Sequence, residues 1–361
     1  MELSERRLRP RHVVTGVVLA LVVAVALLVG IGRVAGFSGL AHGLREADPA
    51  WAGACLIGQV MVFAGYAGAL RCVMASSAGV AVTVWLSLCL VLASFAATQV
   101  FAFGGVGGLA IMYWAFRRVG LERDQVALRL IGLSAAVYLV FGAIGWAAAA
   151  AALVSGQAPL GMTIPWLIGI PLVLAAARWF TEAHRVDRWT APTASVAGRA
   201  LATGVGAAAW VRGVIGTNEG RPLFLWAACY WVGDIISLWA GLRAYGAAPH
   251  VPSLMLAYTS GYLVQSLPIP LIATGGVDAA TTFLLHAVGT PLHLALLGVL
   301  THRVFAFWLP VIPGSLFVLS LPRIVRSLSR LPRAGTLAPI DQVPSPAPVD
   351  GIDVLPAHTS L

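Results

Sequence analysis

Three ionisable side chains, Asp234, Asp278 and Arg303, stand in stretches that are otherwise strongly apolar. Asp278 follows Gly275-Gly276-Val277 and ends a run, 244–277, that holds no Arg, Asp or Glu, in a chain without a single Lys. In the middle of a hydrocarbon layer each such charge costs about 2.5–3.5 kcal/mol on insertion scales. Charged side chains in that setting face a polar cavity or one another. A guanidinium offers a planar fork that matches a phosphate. A carboxylate can offset a cation, accept from hydroxyls or carry a proton. Each residue also has a structural reading. Asp after Gly-Gly can cap a half-helix over 279–288. Asp234, in Tyr230-Trp-Val-Gly-Asp-Ile-Ile-Ser237, can hold neighbouring helices together, for instance through Arg303. Arg303, in Thr301-His-Arg-Val304, can pair with either Asp or reach toward an interface.

The glycines nearby supply backbone donors. Gly275 and Gly276 follow Leu267-Pro-Ile-Pro270 in one segment, and Gly104 and Gly105 open Gly104-Gly-Val-Gly-Gly108 in another. Proline and glycine interrupt a helix, and irregular backbone at membrane depth is tolerated only against protein or a water-filled cavity. Two interrupted apolar segments in the two halves of a chain point to a transport-type site. The N-termini of the half-helices after them would present free N–H groups and partial positive charge to a phosphate. The candidate substrate-binding set is therefore Asp278, Asp234, Arg303, Gly275, Gly276, Gly104 and Gly105.

The elements that position these residues are membrane helices. The chain is 59% hydrophobic and 10% charged, with a mean hydropathy of +0.87. Runs free of Arg, Asp and Glu cover 13–32, 49–70, 72–116, 130–177 and 304–322. A crossing takes about 20 residues, so the runs of 45 and 48 residues each hold two embedded segments. Helices are predicted at 13–32, 50–70, 80–101, 127–153, 162–178, 222–242, 253–271 and 291–321, with half-helices near 106–116 and 278–288. The last long helix should be interrupted at Pro310 and Pro313. The fold class is an all-α, polytopic membrane helix bundle of about eight transmembrane helices plus two re-entrant or broken half-helices. Its two halves repeat weakly: Gly104-Gly-Val106 precedes Val119-Gly120 by twelve residues, and Gly275-Gly-Val277 precedes Val288-Gly289 by ten.

The segment 13–31 reads as a transmembrane helix rather than a cleaved leader, because its apolar core is long and Arg33 follows at once. The net charge of +9 is carried by Arg alone. Most arginines flank helices, where they set topology, which excludes nucleic acid as the partner. Arg178, Arg185, Arg188, Arg199, Arg212 and Arg221 place the 178–221 loop in the cytoplasm, with 201–215 an interfacial helix. Arg323, Arg326, Arg330 and Arg333 place the C-terminus there too. If both half-helices re-enter, parity conflicts with that loop, so the first Gly-rich segment is expected to cross fully. Three parts result: a basic cytoplasmic lead 1–12, a transmembrane unit 13–325, and a Pro-rich cytoplasmic tail 326–361 without regular structure. The setting is a bacterial inner membrane.

Several chemistries have no support. No P-loop, H-E-x-x-H or G-x-S-x-G pattern occurs, and no Asp-x-Asp suits a metal-dependent sugar transferase. Cys55, Cys72, Cys89 and Cys229 are scattered through apolar segments and read as small buried hydrophobes. His286, His293 and His302 are separated by Pro291 and do not define one helical face. Glu122 and Asp124 read as solvated loop charges beside Arg118 and Arg123. We expect no catalytic residue, no metal and no cofactor.

Trp231-x-x-Asp234, Leu242-Arg-Ala-Tyr-Gly246, Ala257-Tyr258, Gly261-Tyr262, Pro268-x-Pro270, Gly275-Gly-Val-Asp278, Gly289 and Arg303-x-x-x-x-Trp308-x-Pro310 follow in order. Gly104-Gly-x-Gly-Gly108 and Arg117-Arg-x-Gly120 agree more loosely. This pattern resembles the transmembrane, flippase-like domain of bacterial lysyl-phosphatidylglycerol synthases, over about residues 13–325. The chain departs from it where 271–274 separate Pro270 from Gly275, and where Asp278 stands at a position often held by Glu. The resemblance implies movement of aminoacylated lipid between leaflets, without the soluble domain that transfers the amino acid. The expected function is translocation of a phospholipid or lipid-linked head group. The alternatives are a non-catalytic membrane partner of a synthase and a lipid-carrier transferase. The expected partners are a membrane lipid as substrate, a second copy of the chain as a homodimer, and a separate synthase.

Overall fold

The computed structural model describes residues 47–78, 82–100, 106–118, 120–190, 195–218, 220–266 and 275–329. The first apolar segment, Gly104 and Gly105, the Leu267-to-Pro270 stretch and the tail from 330 onward lie outside the described residues. Among the described residues the chain is helical and forms no strand.

Thirteen α-helices follow in order among these residues. They are α1 (Ala50–Ala78), α2 (Val84–Val100), α3 (Val106–Arg118), α4 (Arg123–Val154), α5 (Leu160–Phe180), α6 (Ala183–Thr190), α7 (Val196–Val214), α8 (Arg221–Arg243), α9 (Val251–Tyr262), α10 (Gly276–Ala287), α11 (Leu292–Arg303), α12 (Leu309–Leu319) and α13 (Leu321–Ser329). Among the described residues, five spans are long and apolar enough to cross a membrane: Ala50–Ala75, Arg123–Val154, Leu160–Phe180, Arg221–Arg243 and Leu292–Leu319. The last runs through α11 and α12 as one rod.

The most extensive contact joins α1 to α8. Small residues make it possible, since close backbone approach substitutes for the missing hydrophobic drive in lipid. A methyl on Gly58 would sit 2.6 Å from the Gly233 carbonyl oxygen, and a methyl on Gly233 would sit 2.6 Å from that of Gly58. The pair runs antiparallel. Trp51 packs edge-on against Trp239 at one end, with ring centres 5.2 Å apart, while Gly65 lies against Tyr230 nearer the other.

Two short hairpins complete the frame. Helices α2 and α3 pack together and hold 17 and 13 residues. At about 1.5 Å per residue α3 is too short to cross a core about 30 Å thick. Helices α9 and α10 hold 12 residues each and also pack together, with Gly261 against the Thr281 backbone. The hairpins enter from opposite ends of the bundle. The Arg71 Nε near the end of α1 donates to the Val82 carbonyl at 2.8 Å, which starts α2 beside the N-terminal end of α8. Helix α9 starts just beyond the other end of α8, where Ser253 Oγ donates to the Gln157 carbonyl at 3.1 Å. Because α2 is itself one arm of a hairpin, 84–118 leaves the bundle at the end where it entered. With 84–118 as a hairpin, α4 and α5 bring the chain back to the end where α2 begins, so the 178–221 loop reaches that end without the expected full crossing by the first Gly-rich segment.

Two local expectations change. The helix predicted at 253–271 is α-helical only to Tyr262 and tightens into a 3₁₀ turn, Leu263–Ser266. The interruption before Pro310 is a π-helical turn, Val304–Trp308, and Pro313 stays inside α12. Proline lacks an N–H and its ring crowds the carbonyl four residues back. A π turn placed over that carbonyl, on Ala306, absorbs the conflict. The 201–215 stretch forms α7, capped by Ser195 accepting from the Gly198 amide at 3.0 Å. It packs on α4 with Trp210 against Gly132.

Candidate functional site

At the centre of the bundle lies a cavity of about 410 Å³, walled by α1, α2, α3, α4, α8, α9, α10, α11 and the π turn. Its size falls in the range of small-molecule sites. Asp234, Asp278, His302 and Arg303 all line it. The charged residues singled out from sequence therefore share one space, although 69 positions separate Asp234 from Arg303.

The α1–α8 crossing places Asp234. The residue after Gly58 is Gln59 and the residue after Gly233 is Asp234, so the closest backbone approach brings these two together. Gln59 Nε2 donates to Asp234 Oδ1 at 2.9 Å. The Tyr258 hydroxyl, from α9, donates to Oδ2. His302 Nε2, from α11, lies 3.6 Å from Oδ1. Three helices thus supply polar partners to one carboxylate, as a group at this depth requires. His302 is oriented from its other side by Ser237 Oγ, 3.1 Å from Nδ1. Ser237 is one turn before Gly241, whose absent side chain admits the Gly298 carbonyl of α11.

Asp278 is held differently. Helix α10 begins at Gly276 with Gly275 at its N-cap, and no side chain caps it. Asp278 lies within the first turn, where a carboxylate suits the positive end of the helix dipole. It does not cap the helix as the sequence allowed. Its Oδ2 instead lies 3.3 Å from Arg303 Nε, with both side chains about a fifth exposed. The Arg303 guanidinium also lies over the Phe307 ring, 4.5 Å from its centre. Arg303 forms its ion pair with Asp278, and His302 is the residue of this turn that lies beside Asp234. Consecutive helical residues point about 100° apart, so His302 meets α8 while Arg303 meets α10.

Aromatic rings form much of the remaining wall. Tyr66, Tyr138, Tyr230, Tyr258, Tyr262 and Trp231 line the cavity. Trp231 is the pivot: it is fully buried, donates from Nε1 to the Val137 carbonyl at 2.8 Å, and stacks within 5.0 Å of both Phe141 and Tyr262. Across the cavity the α2–α3 hairpin contributes Ser94, Thr98 and Gly108. The buried Ser94 Oγ has no hydrogen-bond partner among the described residues.

Of the seven residues proposed from sequence, Asp278, Asp234 and Arg303 converge. Gly275 and Gly276 start α10 and the cavity wall begins at the next residue, Val277. Gly104 and Gly105 lie outside the described residues. Sequence reasoning missed Gln59, Tyr258 and His302 as carboxylate partners. Gln59 carried a usable signal, as a lone amide inside a charge-free run. Of the three histidines, His302 lines the cavity, whereas His286 Nδ1 turns to the Thr290 carbonyl at 3.1 Å.

A search of curated proteins returns no match. The family model described as "Lysylphosphatidylglycerol synthase TM region" matches residues 16–314. That match spans the bundle, both hairpins and every residue of the ionic cluster, so the chain belongs to the lysylphosphatidylglycerol synthase transmembrane-region family.

Proposed function

We propose that this protein moves a lipid across a bacterial inner membrane, carrying its head group through the central cavity. The observation that carries this reading is the Asp278–Arg303 pair, set inside an aromatic-walled cavity between hairpins that enter from opposite ends. A head-group phosphate would take the guanidinium, which presents more donors than one carboxylate uses. The released Asp278, with Asp234 and the tyrosine faces, would hold an ammonium or hydroxyls. Lysylphosphatidylglycerol, the lipid in the family's name, carries phosphate, ammonium and hydroxyl together. An aminoacylated phospholipid of that class is our proposed cargo.

The wider architecture follows the same reading. Residues 13–325 form the lipid-moving unit: the five long apolar spans cross, and the two hairpins, which hold two of the eight helices expected from sequence, re-enter. The flanks 1–12 and 326–361 are cytoplasmic, as the arginine-rich ends suggest. The test is reconstitution into liposomes holding fluorescent lysylphosphatidylglycerol, with an impermeant quencher outside. Wild-type protein exposes inner-leaflet lipid that protein-free vesicles protect, and Arg303→Gln slows this at least tenfold. Full protection with folded wild type would refute the reading.

A further inference from the structure

Among the described residues, the charges around the cavity do not balance. Asp234 and Asp278 face one guanidinium, Arg303, so one negative charge is left over when His302 is neutral. A proton on His302 cancels it, and so does an ammonium bound in the cavity. The two compensations exclude one another, because both act on Asp234, whose Oδ1 is 3.6 Å from His302 Nε2.

Among the described residues, the titratable and charged groups that share the cavity with His302 are these. Asp234 and Tyr230 come from α8, Tyr258 and Tyr262 from α9, Asp278 from α10, Tyr138 from α4 and Tyr66 from α1. Arg303 is its neighbour on α11, and α2 and α3 present only hydroxyls and apolar groups. Among these groups the imidazole is the one with two ring nitrogens, so it can take or release a proton at Nε2 while Nδ1 keeps its own hydrogen bond. Its setting serves both states. The Ser237 hydroxyl at Nδ1 can donate to a neutral ring or accept from a charged one, since a hydroxyl does either.

Resting on the translocator reading above, we infer that the protein exchanges one proton for one cationic head group. The empty cavity holds a proton on His302. When the ammonium enters beside Asp234, the proton leaves Nε2 for water at the open mouth. At the other face the ammonium departs and His302 takes a proton from that side. The lysyl head group carries two ammoniums against one phosphate, so the cluster's net charge is the same with the head group bound and His302 neutral as with His302 protonated. A proton entering the cell thus moves a lipid head group outward, so the transmembrane pH difference drives export.

The test uses full-length protein in liposomes with fluorescent lysylphosphatidylglycerol, an entrapped pH dye and an external quencher. One-for-one exchange predicts that each unit of imposed pH difference shifts the steady leaflet ratio of the lipid by up to about tenfold toward the acidic side. The dye should report proton movement only when the lipid is present. His302→Gln should lose gradient-driven accumulation. If that variant does not assemble, the wild type decides alone. Lipid movement that ignores the gradient, or a His302→Gln protein that accumulates lipid as steeply as wild type, would overturn the exchange and leave translocation standing. No lipid movement by wild type would overturn both.

Discussion

Asp234 and Asp278 line one cavity but are held in opposite ways. Asp234 sits on α8, in the tightest helix pair of the bundle, and takes partners from α1, α9 and α11. Asp278 sits in the first turn of a 12-residue hairpin arm and faces one guanidinium. The first arrangement distributes a buried charge over several donors on rigid elements. The second pairs two charges that a phosphate and an ammonium could separate. Within one site, Asp234 is therefore the fixed reference and Asp278 the exchangeable member.

That contrast breaks first at Asp234. Asp234→Leu strands Gln59, Tyr258 and His302 without their acceptor, which for a buried pair costs about 3–5 kcal/mol. Thermal unfolding in detergent should show the loss. Asp234→Asn, which keeps an acceptor of the same shape, should recover more than half of it. Next in size is the crossing that places Asp234. Gly58→Val forces a methyl into the space of the Gly233 carbonyl, and overpacking of this kind costs about 1–3 kcal/mol. The same melt measures it, and lipid movement should fall in parallel because Gln59 is displaced from Asp234. The smallest change in stability belongs to Asp278→Asn, about 1.5 kcal/mol for one charge-assisted contact to Arg303 whose acceptor the amide partly keeps. That variant should melt closer to wild type than Asp234→Leu yet transport poorly. Arg303→Lys sharpens the point, since an ammonium keeps the charge but not the planar fork. We expect partial transport there, between wild type and Arg303→Gln.

The helices were legible because hydrocarbon admits so little charge. The runs 49–70 and 130–177 gave α1, α4 and α5, with α1 running on to Ala78 and α4 starting at Arg123, and 304–322 gave α12 behind its π turn. The same rule exposed Asp234, Asp278 and Arg303 as site residues. Their partners were hidden for three physical reasons. Gln59 and Tyr258 are neutral and cheap enough to occur anywhere in such helices. The face that each presents depends on where α1 crosses α8, which Gly58 and Gly233 decide together across 175 positions of sequence. And the choice between His302 and Arg303 as the partner of Asp234 is a single-residue rotation, which no pattern of hydropathy resolves. The N-cap at Asp278 misled because Gly275 and Gly276 begin the helix three residues sooner than 279. The π turn was masked by the prolines that provoke it.

The measurement that tests the central claim most directly compares wild type with Asp278→Asn in the same proteoliposomes, by exposure of fluorescent inner-leaflet lipid to an impermeant quencher. The account predicts rapid exposure with wild type and at least a tenfold slower rate with Asp278→Asn, at matched folding. Equal rates for the two proteins would contradict it, because the exchangeable carboxylate would then lie off the lipid's path.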